Sequence, residues 1–443
     1  MDRDKMAHIR QWILAVSGIL LLAVGAISAL LLLYGGGSWQ STARLEASRL
    51  STIEMNELVG ASRYQKSAQP SKHTVLASIG TVLHLPFVRP LQMLQSQLPN
   101  TKVTTALQSN GQNSLFKTLS NWETHAKKIT LGWIPYNTVS NTEQMIKQSP
   151  GITVISPKWL SIKSSDGSIT SRVQPQVVSY AHQHGIKVWA LVDNQFRANL
   201  THQTLSNQKS RENLVNKLVS TAKADKLDGL NIDFENIHSK DEKYFTQFVA
   251  ELHQKLKPLH ITLSVDVTKD IVFLQDNAAF FHAGLAANSD YVILMAYDEH
   301  WAGDPNPGPV ADVPWVTSGV NDLLDTGVPA NKLILGIPLY ARFWYVHNNG
   351  QVSSEAVADA NIGNVLAQHK AATSWKSNLG VAYARYSQPD GYEEAWYETG
   401  KTLSEKLSLV NHDGLAGIAA WSLNLSSTKT WQNVMDSLRQ SLS

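Results

Sequence analysis

Residues 227–237 read LDGLNIDFENI, and this short stretch decides how the rest of the chain is interpreted. Side chains alternate between the two faces of a β-strand, so Asn231, Asp233 and Glu235 share one face, and the apolar residues between them share the other. Such a strand can pack its apolar side on helices and turn its polar side into a barrel. Glu235 would then stand at the carboxyl end of the strand, where barrel enzymes keep their active sites.

Further strand-like runs alternate with amphipathic segments on both sides of this stretch. The eight candidate strands are 129–135, 153–156, 187–192, 229–235, 262–267, 291–297, 333–339 and 417–421. Three helical segments with end signals are 173–184, closed by Gly185, 211–225, and 240–256, opened by Ser239. Alternating strands and helices imply parallel βαβ units, and eight such units over roughly 300 residues predict an α/β fold, the (β/α)8 TIM barrel.

The interval before the eighth candidate strand is longer than one crossover helix requires. Residues from about 346 to 414 include a run at 383–397 that is rich in tyrosine and tryptophan, which favour strands. This composition predicts a small α+β insertion between strands seven and eight. The barrel and its insertion together are expected to occupy residues 129–435.

The N-terminal part of the chain has a different character. Residues 12–34 contain no charged side chain and, at roughly 23 residues, are long enough to cross a membrane as a helix. Basic residues precede this run and glycines follow it, which places residues 1–11 in the cytoplasm and the remainder outside. A cleaved signal peptide is the alternative, although its apolar core is normally shorter. Residues 35–128, rich in Ser, Gln, Thr and Asn, are expected to form a partly helical stalk.

Composition excludes several classes of protein. A formal net charge of +2 and a charged fraction of 17% create no strong field, so nucleic acid is not an expected partner. The chain has no cysteine, which excludes disulfides, thiolate nucleophiles and cysteine-bound zinc. His182 and His184 lie two residues apart on a predicted helix and so face different directions. No catalytic metal and no cofactor is expected.

Asp233 and Glu235 lie close together on a face that should be buried. Burying two carboxylates is costly, and their repulsion is expected to raise the pKa of one of them, which would keep a proton on Glu235 near neutral pH. Two less specific interpretations are half-exposed strand residues and ion-pair partners of arginines elsewhere. The third polar residue in phase, Asn231, and the position at the end of a barrel strand favour a catalytic pair.

Four motifs follow one another at the spacing of barrel strands: DGLNIDFE (228–235), LMAYDEHW (294–301), KLILGIPLYARFW (332–344) and GLAGIAAWSL (414–423). The first resembles the D-G-x-D-x-D-x-E signature of glycoside hydrolase family 18, the chitinase-like enzymes. The others are similar to that family's motifs on strands six, seven and eight. The resemblance covers residues 129–435.

Within that family the chain most resembles the spore-germination and cortex-fragment-lytic branch. GPVADVPWV (308–316), which follows YDEHW, and EEAWYETGKTLSEKLSLVNHDGLAGI (393–418) both look like that branch. The chain departs from the general signature at Asn231, where most chitinases have the middle aspartate. The branch commonly has asparagine there as well, so activity is still expected.

The resemblance implies retaining hydrolysis in which the 2-acetamido oxygen of the sugar, and no protein group, attacks the anomeric carbon. Glu235 would protonate the glycosidic oxygen and then activate water. Asp233 would hold the acetamido N–H and balance the developing positive charge. Tyr297 would donate to the acetamido oxygen, and Asn231 would hydrogen-bond Asp233 and fix it in place. Without the resemblance, Tyr297 is equally well a packed core residue and Asn231 a polar filler.

The resemblance also implies a sugar-binding surface. Trp421 would form the apolar floor under the reacting sugar, and Asp298 would lie beside Tyr297 at the subsite that binds this sugar. A core tryptophan and a turn-forming aspartate are the alternatives. Arg342 would bind sugar hydroxyls or a peptidoglycan carboxylate, unless it is an ordinary surface arginine. The remaining aromatic side chains near strand ends are interpreted collectively as sugar platforms: Trp133, Tyr136, Tyr340, Trp344 and Trp301.

These features of the sequence lead to three hypotheses about function. The first is a single-pass cell-membrane protein whose extracytoplasmic domain cleaves β-1,4 bonds of an N-acetylglucosamine-containing polysaccharide, in the first place peptidoglycan or spore cortex fragments. The second keeps this chemistry and changes the polymer, which makes the protein a chitinase or an endo-β-N-acetylglucosaminidase on other glycans. The third is an inactive, lectin-like protein that tethers the membrane to the wall, and the presence of Glu235 argues against it.

Overall fold

The computed structural model describes residues 128–269 and 279–440, and all eight candidate strands form in it. The strands are β1 (Ile129–Ile134), β2 (Val154–Ile162), β3 (Ile169–Ser171), β4 (Lys187–Asp193), β5 (Gly229–Asp233), β6 (Thr262–Val267), β7 (Tyr291–Met295), β8 (Leu333–Pro338), β9 (Tyr340–His347), β10 (Val352–Ala358), β11 (Ala372–Lys376), β12 (Val381–Gln388), β13 (Gly391–Tyr397) and β14 (Gly417–Trp421).

Eight of these strands close into a ring. Their hydrogen-bonded order is β1-β14-β8-β7-β6-β5-β4-β2, and β1 also pairs with β2. All of these pairs are parallel. The (β/α)8 barrel that the strand and helix alternation predicts is therefore confirmed. β3 pairs antiparallel with the last residues of β2 and extends it as a hairpin.

Helices follow or connect the strands. They are α1 (Val139–Gln148), α2 (Pro175–Gln183), α3 (Ala198–Ser206), α4 (Gln208–Ala224), α5 (Glu242–Leu256), α6 (His282–Ala287), α7 (Val313–Asp325), α8 (Asp359–Gln368), α9 (Gly400–His412) and α10 (Thr428–Gln440), with short 3-10 turns at Ser239–Asp241, Lys257–Leu259, Ala330–Lys332 and Leu423–Leu425. The three predicted helices are α2, α4 and α5. α4 starts earlier than predicted because Asn207 caps it, its side chain accepting the Ser210 N–H at 3.0 Å.

β5 has the two faces that its sequence predicts. Phe234, directly after the strand, stacks on Phe245 and Phe248 of α5 with ring centroids 5.8 and 5.5 Å away, so this face packs on the outer helices. Asn231, on the opposite face, contacts side chains of other strands inside the barrel. The strand itself ends at Asp233, so the prediction that it continues to Glu235 is wrong.

A five-stranded antiparallel sheet lies between β8 and β14, in the order β10-β9-β13-β12-β11. It begins at Tyr340, earlier than the expected residue 346, because the chain passes from β8 almost directly into β9. Its small core is formed by Ala341, Phe343, Ile362, Tyr386 and Ala395. Because side chains alternate along β9, Tyr340, Arg342 and Trp344 lie on the face opposite this core.

The predicted membrane helix at 12–34 and the predicted stalk at 35–128, except its last residue Lys128, lie outside the described residues. Within residues 128–269 and 279–440, no helix combines the length and the apolar character needed to span a bilayer.

Candidate active site

Asn231 is the centre of a buried hydrogen-bond network inside the barrel. Its side-chain oxygen accepts from Trp133 Nε1 at 2.8 Å and from Ser156 Oγ at 3.0 Å. Its amide nitrogen donates to Ser264 Oγ at 3.1 Å and to Asp266 Oδ1 at 2.7 Å. The hydrogen-bonding capacity of the carboxamide is fully used, and it joins β5 to β2, β6 and the tryptophan of β1.

The carboxyl pair lies at the carboxyl end of β5. Asp233 pairs in register with Asp193 of β4, and Asp233 and Glu235 are 6% and 4% exposed. The side chain of Asn194 clamps the backbone of Glu235: it accepts the Glu235 N–H at 3.1 Å and donates to the Glu235 carbonyl at 2.6 Å. The bonds of Asn231 all go to other residues, so the expectation that Asn231 binds Asp233 directly is wrong.

Three aromatic rings line the barrel end beside these carboxyl groups. The ring of Trp133 lies 6.4 Å from that of Tyr297 in an edge-to-face arrangement and 6.1 Å from that of Trp421. All three side chains are buried, Trp421 the least at 6% exposed, and the Trp421–Ser422 peptide bond is cis. Trp133 is held by its bond to Asn231 and contacts the other two rings. Trp421 is the most exposed ring of the three, and its role as the floor under a sugar stays a prediction.

Asp298 lies in the turn after β7 and is held by the neighbouring strand. Its backbone is in the left-handed region, with φ +61°, which aspartate tolerates better than most residues. The Tyr340 hydroxyl donates to Asp298 Oδ1. Burial raises the pKa of Tyr340 well above its ordinary value, the charge of Asp298 adds to the shift, and Arg342 opposes it. Tyr340 therefore remains a donor at neutral pH and fixes Asp298.

Arg342 is 1% exposed, so the alternative of an ordinary surface arginine is wrong. Its Nη1 donates to Ser354 Oγ at 3.2 Å, while Nε and Nη2 make no hydrogen bond to the described part of the chain. It lies on the same face of β9 as Tyr340, whose pKa its charge lowers. A buried guanidinium with two unused donor nitrogens is costly for stability. Tyr340, which its charge affects, is the residue that holds Asp298, so the unused N–H groups of Arg342 are candidates for binding a polar ligand.

Replacing Arg342 by methionine is expected to raise the melting temperature and to weaken substrate binding. The change removes a buried cation with unused donors while keeping most of the volume. The predicted charge-assisted hydrogen bond from Arg342 to the sugar would be lost, so we expect KM to rise roughly tenfold or more. Melting curves and KM should be compared with Arg385→Met, an exposed arginine of the same insertion. A lower melting temperature with unchanged KM would contradict this prediction.

The other aromatic side chains divide into three groups. Trp344 is fully buried and donates from Nε1 to the Gly308 carbonyl at 2.8 Å, so its prediction as a sugar platform is wrong. Trp301 is partly exposed. Tyr136, in the loop after β1, is 52% exposed, with the guanidinium of Arg172 5.1 Å from its ring centre. Of these three, Trp301 and Tyr136 have rings that reach solvent at the barrel mouth.

Several site residues were not predicted. Ser156, Ser264 and Asp266 hydrogen-bond to Asn231, Asn194 holds the backbone of Glu235, and each of the four is at most 1% exposed. A signal for two of them exists, because 262–267 reads TLSVDV and alternates polar and apolar residues as β5 does. Ser156 and Asn194 have no such alternating polar pattern around them.

Histidines and carboxylates do not converge on a metal site in the described ranges: groups of three or more potential ligands are absent there. His182 Nε2 pairs with Asp228 Oδ2 at 2.8 Å, and His184 Nδ1 hydrogen-bonds the Tyr180 carbonyl at 2.8 Å. The two imidazoles thus have separate partners.

Known proteins share sequence and fold with this chain. The model of glycosyl hydrolases family 18 matches residues 119–425. The Bacillus subtilis protein YdhD is 29% identical over 243 residues, which are 54% of this chain and 57% of YdhD. The cortical fragment-lytic enzyme of Bacillus subtilis is 24% identical over 251 residues, 55% of this chain and 58% of that enzyme. The chain thus spans little more than half the length of these two relatives.

The fold has solved counterparts. The crystal structure of a chitinase from Chromobacterium violaceum superposes with a TM-score of 0.63 at 22% identity, covering 70% of this chain and 99% of that structure. At this identity the likeness concerns the fold alone.

Proposed function

Because the chain belongs to glycosyl hydrolases family 18, we propose that it hydrolyses β-1,4 bonds of N-acetylglucosamine-containing glycans. One observation carries the proposal. Asp233 and Glu235 are buried at the carboxyl end of a closed barrel, next to the rings of Trp133, Tyr297 and Trp421. Two carboxyl groups and an apolar floor are what protonation of a glycosidic oxygen above a sugar ring requires.

The proposed mechanism retains the anomeric configuration and uses the substrate as its own nucleophile. Glu235 gives its proton to the leaving oxygen as the acetamido oxygen attacks the anomeric carbon, which forms an oxazolinium ion. Asp233 accepts a hydrogen bond from the acetamido N–H and balances the positive charge that develops. Glu235 then removes a proton from the water that opens the ring, and Tyr297 donates to the acetamido oxygen.

We propose peptidoglycan or spore cortex fragments as the polymer. The cortical fragment-lytic enzyme among the relatives supports this choice. Arg342 supports it as well, because its unused N–H donors suit a carboxylate such as the one that a muramic acid carries. We propose that the rings of Tyr136 and Trp301, which are at least partly exposed, stack on sugars farther along the polysaccharide.

We propose further that the catalytic domain works outside the cell, attached to the membrane by residues 12–34. The support is in the sequence: an uncharged run of sufficient length, with basic residues on its N-terminal side. A domain anchored in this way would meet wall glycan directly. Fractionation of cells that express the full chain, followed by protease treatment of intact protoplasts, tests this placement.

Digestion of a defined muropeptide and of N-acetylglucosamine oligomers, followed by mass analysis, tests the proposed activity. We expect new reducing ends at N-acetylglucosamine from the muropeptide and slower cleavage of the oligomers. Preferential cleavage of the oligomers would favour a chitinase. Saturable glycan binding with no product from either polymer would instead favour a lectin-like wall tether.

A further inference from the structure

The loop that follows Asp298 contains a carboxyl group that the proposed mechanism does not use. Glu299 donates its backbone N–H to the Val310 carbonyl at 2.8 Å, and His300 donates to the Pro309 carbonyl at 3.2 Å. The side-chain Oε2 of Glu299 accepts the backbone N–H of Asp312 at 2.9 Å. Through its backbone and its side chain, Glu299 thus joins the two ends of loop 299–312. It is the residue directly after Asp298.

The far end of this loop is also the start of a helix. Asp312 caps α7, its Oδ1 accepting the Trp315 N–H at 2.6 Å. The carboxyl of Asp312 therefore has to remain at the helix N-terminus, close to the carboxyl of Glu299. If Glu299 and Asp312 are both ionised, they repel each other in a partly buried space.

The cations that face these two carboxyl groups already have other partners. Lys406 of α9 is fully buried and donates to the Ala311 carbonyl at 2.8 Å and to Glu398. On the loop itself, His300 Nδ1 pairs with Asp304 Oδ2 at 2.9 Å. The positive charges of Lys406 and His300 are therefore only partly available to stabilise an ionised Glu299.

The pKa values of both acids, Glu299 and Asp312, are raised. Burial and the charge of Asp312 raise the pKa of Glu299 to about 7, against the opposing effects of the Asp312 N–H, His300 and Lys406. Burial also raises the pKa of Asp312, which its bond to Trp315 and the charges of Lys406, His300 and Lys269 oppose.

The pKa of the His300 imidazole is raised as well. Burial lowers the pKa of His300, but its hydrogen bond to Asp304 and the charges of Glu299 and Asp304 outweigh burial, and the net shift is upward. As pH rises through about 7, the loop therefore gains the negative charge of Glu299.

We propose that Glu299 is a positioning residue that holds loop 299–312 closed while it is protonated, and so keeps Asp298 in place for the substrate. When Glu299 ionises, the closed loop contains two neighbouring carboxylates, and conformations in which Glu299 reaches water become more favourable. The loop then loosens and Asp298 loses its fixed orientation against Tyr340. The effect on turnover rests on the proposed glycosidase activity.

The test compares the wild-type protein with Glu299→Gln, which keeps a hydrogen-bond acceptor for Asp312 and cannot ionise. A group whose pKa is raised on folding stabilises the fold fully below its unfolded value, and this contribution is lost as pH rises through the folded value. We therefore expect equal melting temperatures at pH 4 and a variant that melts roughly 5–10 °C higher at pH 8.5. Glu242→Gln, an exposed glutamate of α5, is the matched control and should show no such gap.

Turnover supplies the second measurement. With a chromogenic N,N′-diacetylchitobioside, kcat of the wild type should fall at lower pH than kcat of Glu299→Gln. Asp312→Asn, which can still cap α7, should reduce the loss of melting temperature at pH 8.5. A melting gap that does not change with pH, or kcat profiles that coincide, would overturn the proposal. If neither protein cleaves any glycan, the proposed function fails, and the melting curves still decide whether the proton on Glu299 closes the loop.

Discussion

Replacement of Glu235 by glutamine is expected to lower kcat by about 10²- to 10⁴-fold while KM changes little. Glutamine keeps the size of the side chain but has no proton to give to a leaving oxygen, and general acid catalysis contributes this order of magnitude. The backbone of residue 235 is held by Asn194 and should be unaffected. The loss therefore belongs to the chemical step and corresponds to about 3–5 kcal/mol of transition-state stabilisation.

The measurement is the initial rate of release of reducing ends from an N-acetylglucosamine oligomer at saturating concentration. Glu212→Gln, an exposed glutamate of α4, provides the matched control and should keep the wild-type kcat. Circular dichroism should show the same fold for both variants. If Glu235→Gln keeps full turnover, Glu235 is not the acid and the proposed mechanism is wrong.

Replacement of Asn231 by aspartate is expected to destabilise the protein in a pH-dependent way. The amide nitrogen that now donates to Asp266 at 2.7 Å would be replaced by an oxygen that faces a carboxylate in the barrel interior. Two buried carboxyl groups at this distance retain a proton between them, so the folded-state pKa of the pair lies above its unfolded value. The variant should resemble the wild type most at low pH and lose stability as pH rises through the folded value.

A shift of roughly two pKa units would cost about 3 kcal/mol at pH 8, or roughly 5–10 °C in melting temperature. Melting curves at pH 4.5 and pH 8 should show this difference, with Asn364→Asp on the exposed side of α8 as the control. An equal loss at both pH values would mean that lost hydrogen bonds, and not charge, dominate the effect. That result would show that the carboxyl groups at positions 231 and 266 of the variant do not share a proton.

The barrel is predictable because its signals are local. Each strand is marked by a short apolar or alternating run, and the spacing of eight such runs limits the possible topologies. The strand end at Asp233 was not predictable from this pattern. The backbone groups of Glu235 bond to the side chain of Asn194 and not to a neighbouring strand. Asn194 is about 40 positions away in the sequence, so the alternation along β5 contains no signal for where the strand ends.

The identities of the candidate acid and its neighbour, Glu235 and Asp233, came from the sequence, but their surroundings did not. Alternation along β5 shows that Asn231 faces inward, and it contains no information about what Asn231 meets there. Trp133, Ser156 and Asp266 come from three other strands, and closure of the ring brings them to the same carboxamide.

The sequence by itself determined the class of the protein and the position of its carboxyl pair, because periodicity and motif order are properties of neighbouring residues. Tertiary structure decided which groups are buried together. It assigned Trp344 to the core, left Arg342 with unused donors, and placed Glu299 against Asp312. Burial and the distance between charges set the energies of these groups, and both exist only once distant strands and loops have packed.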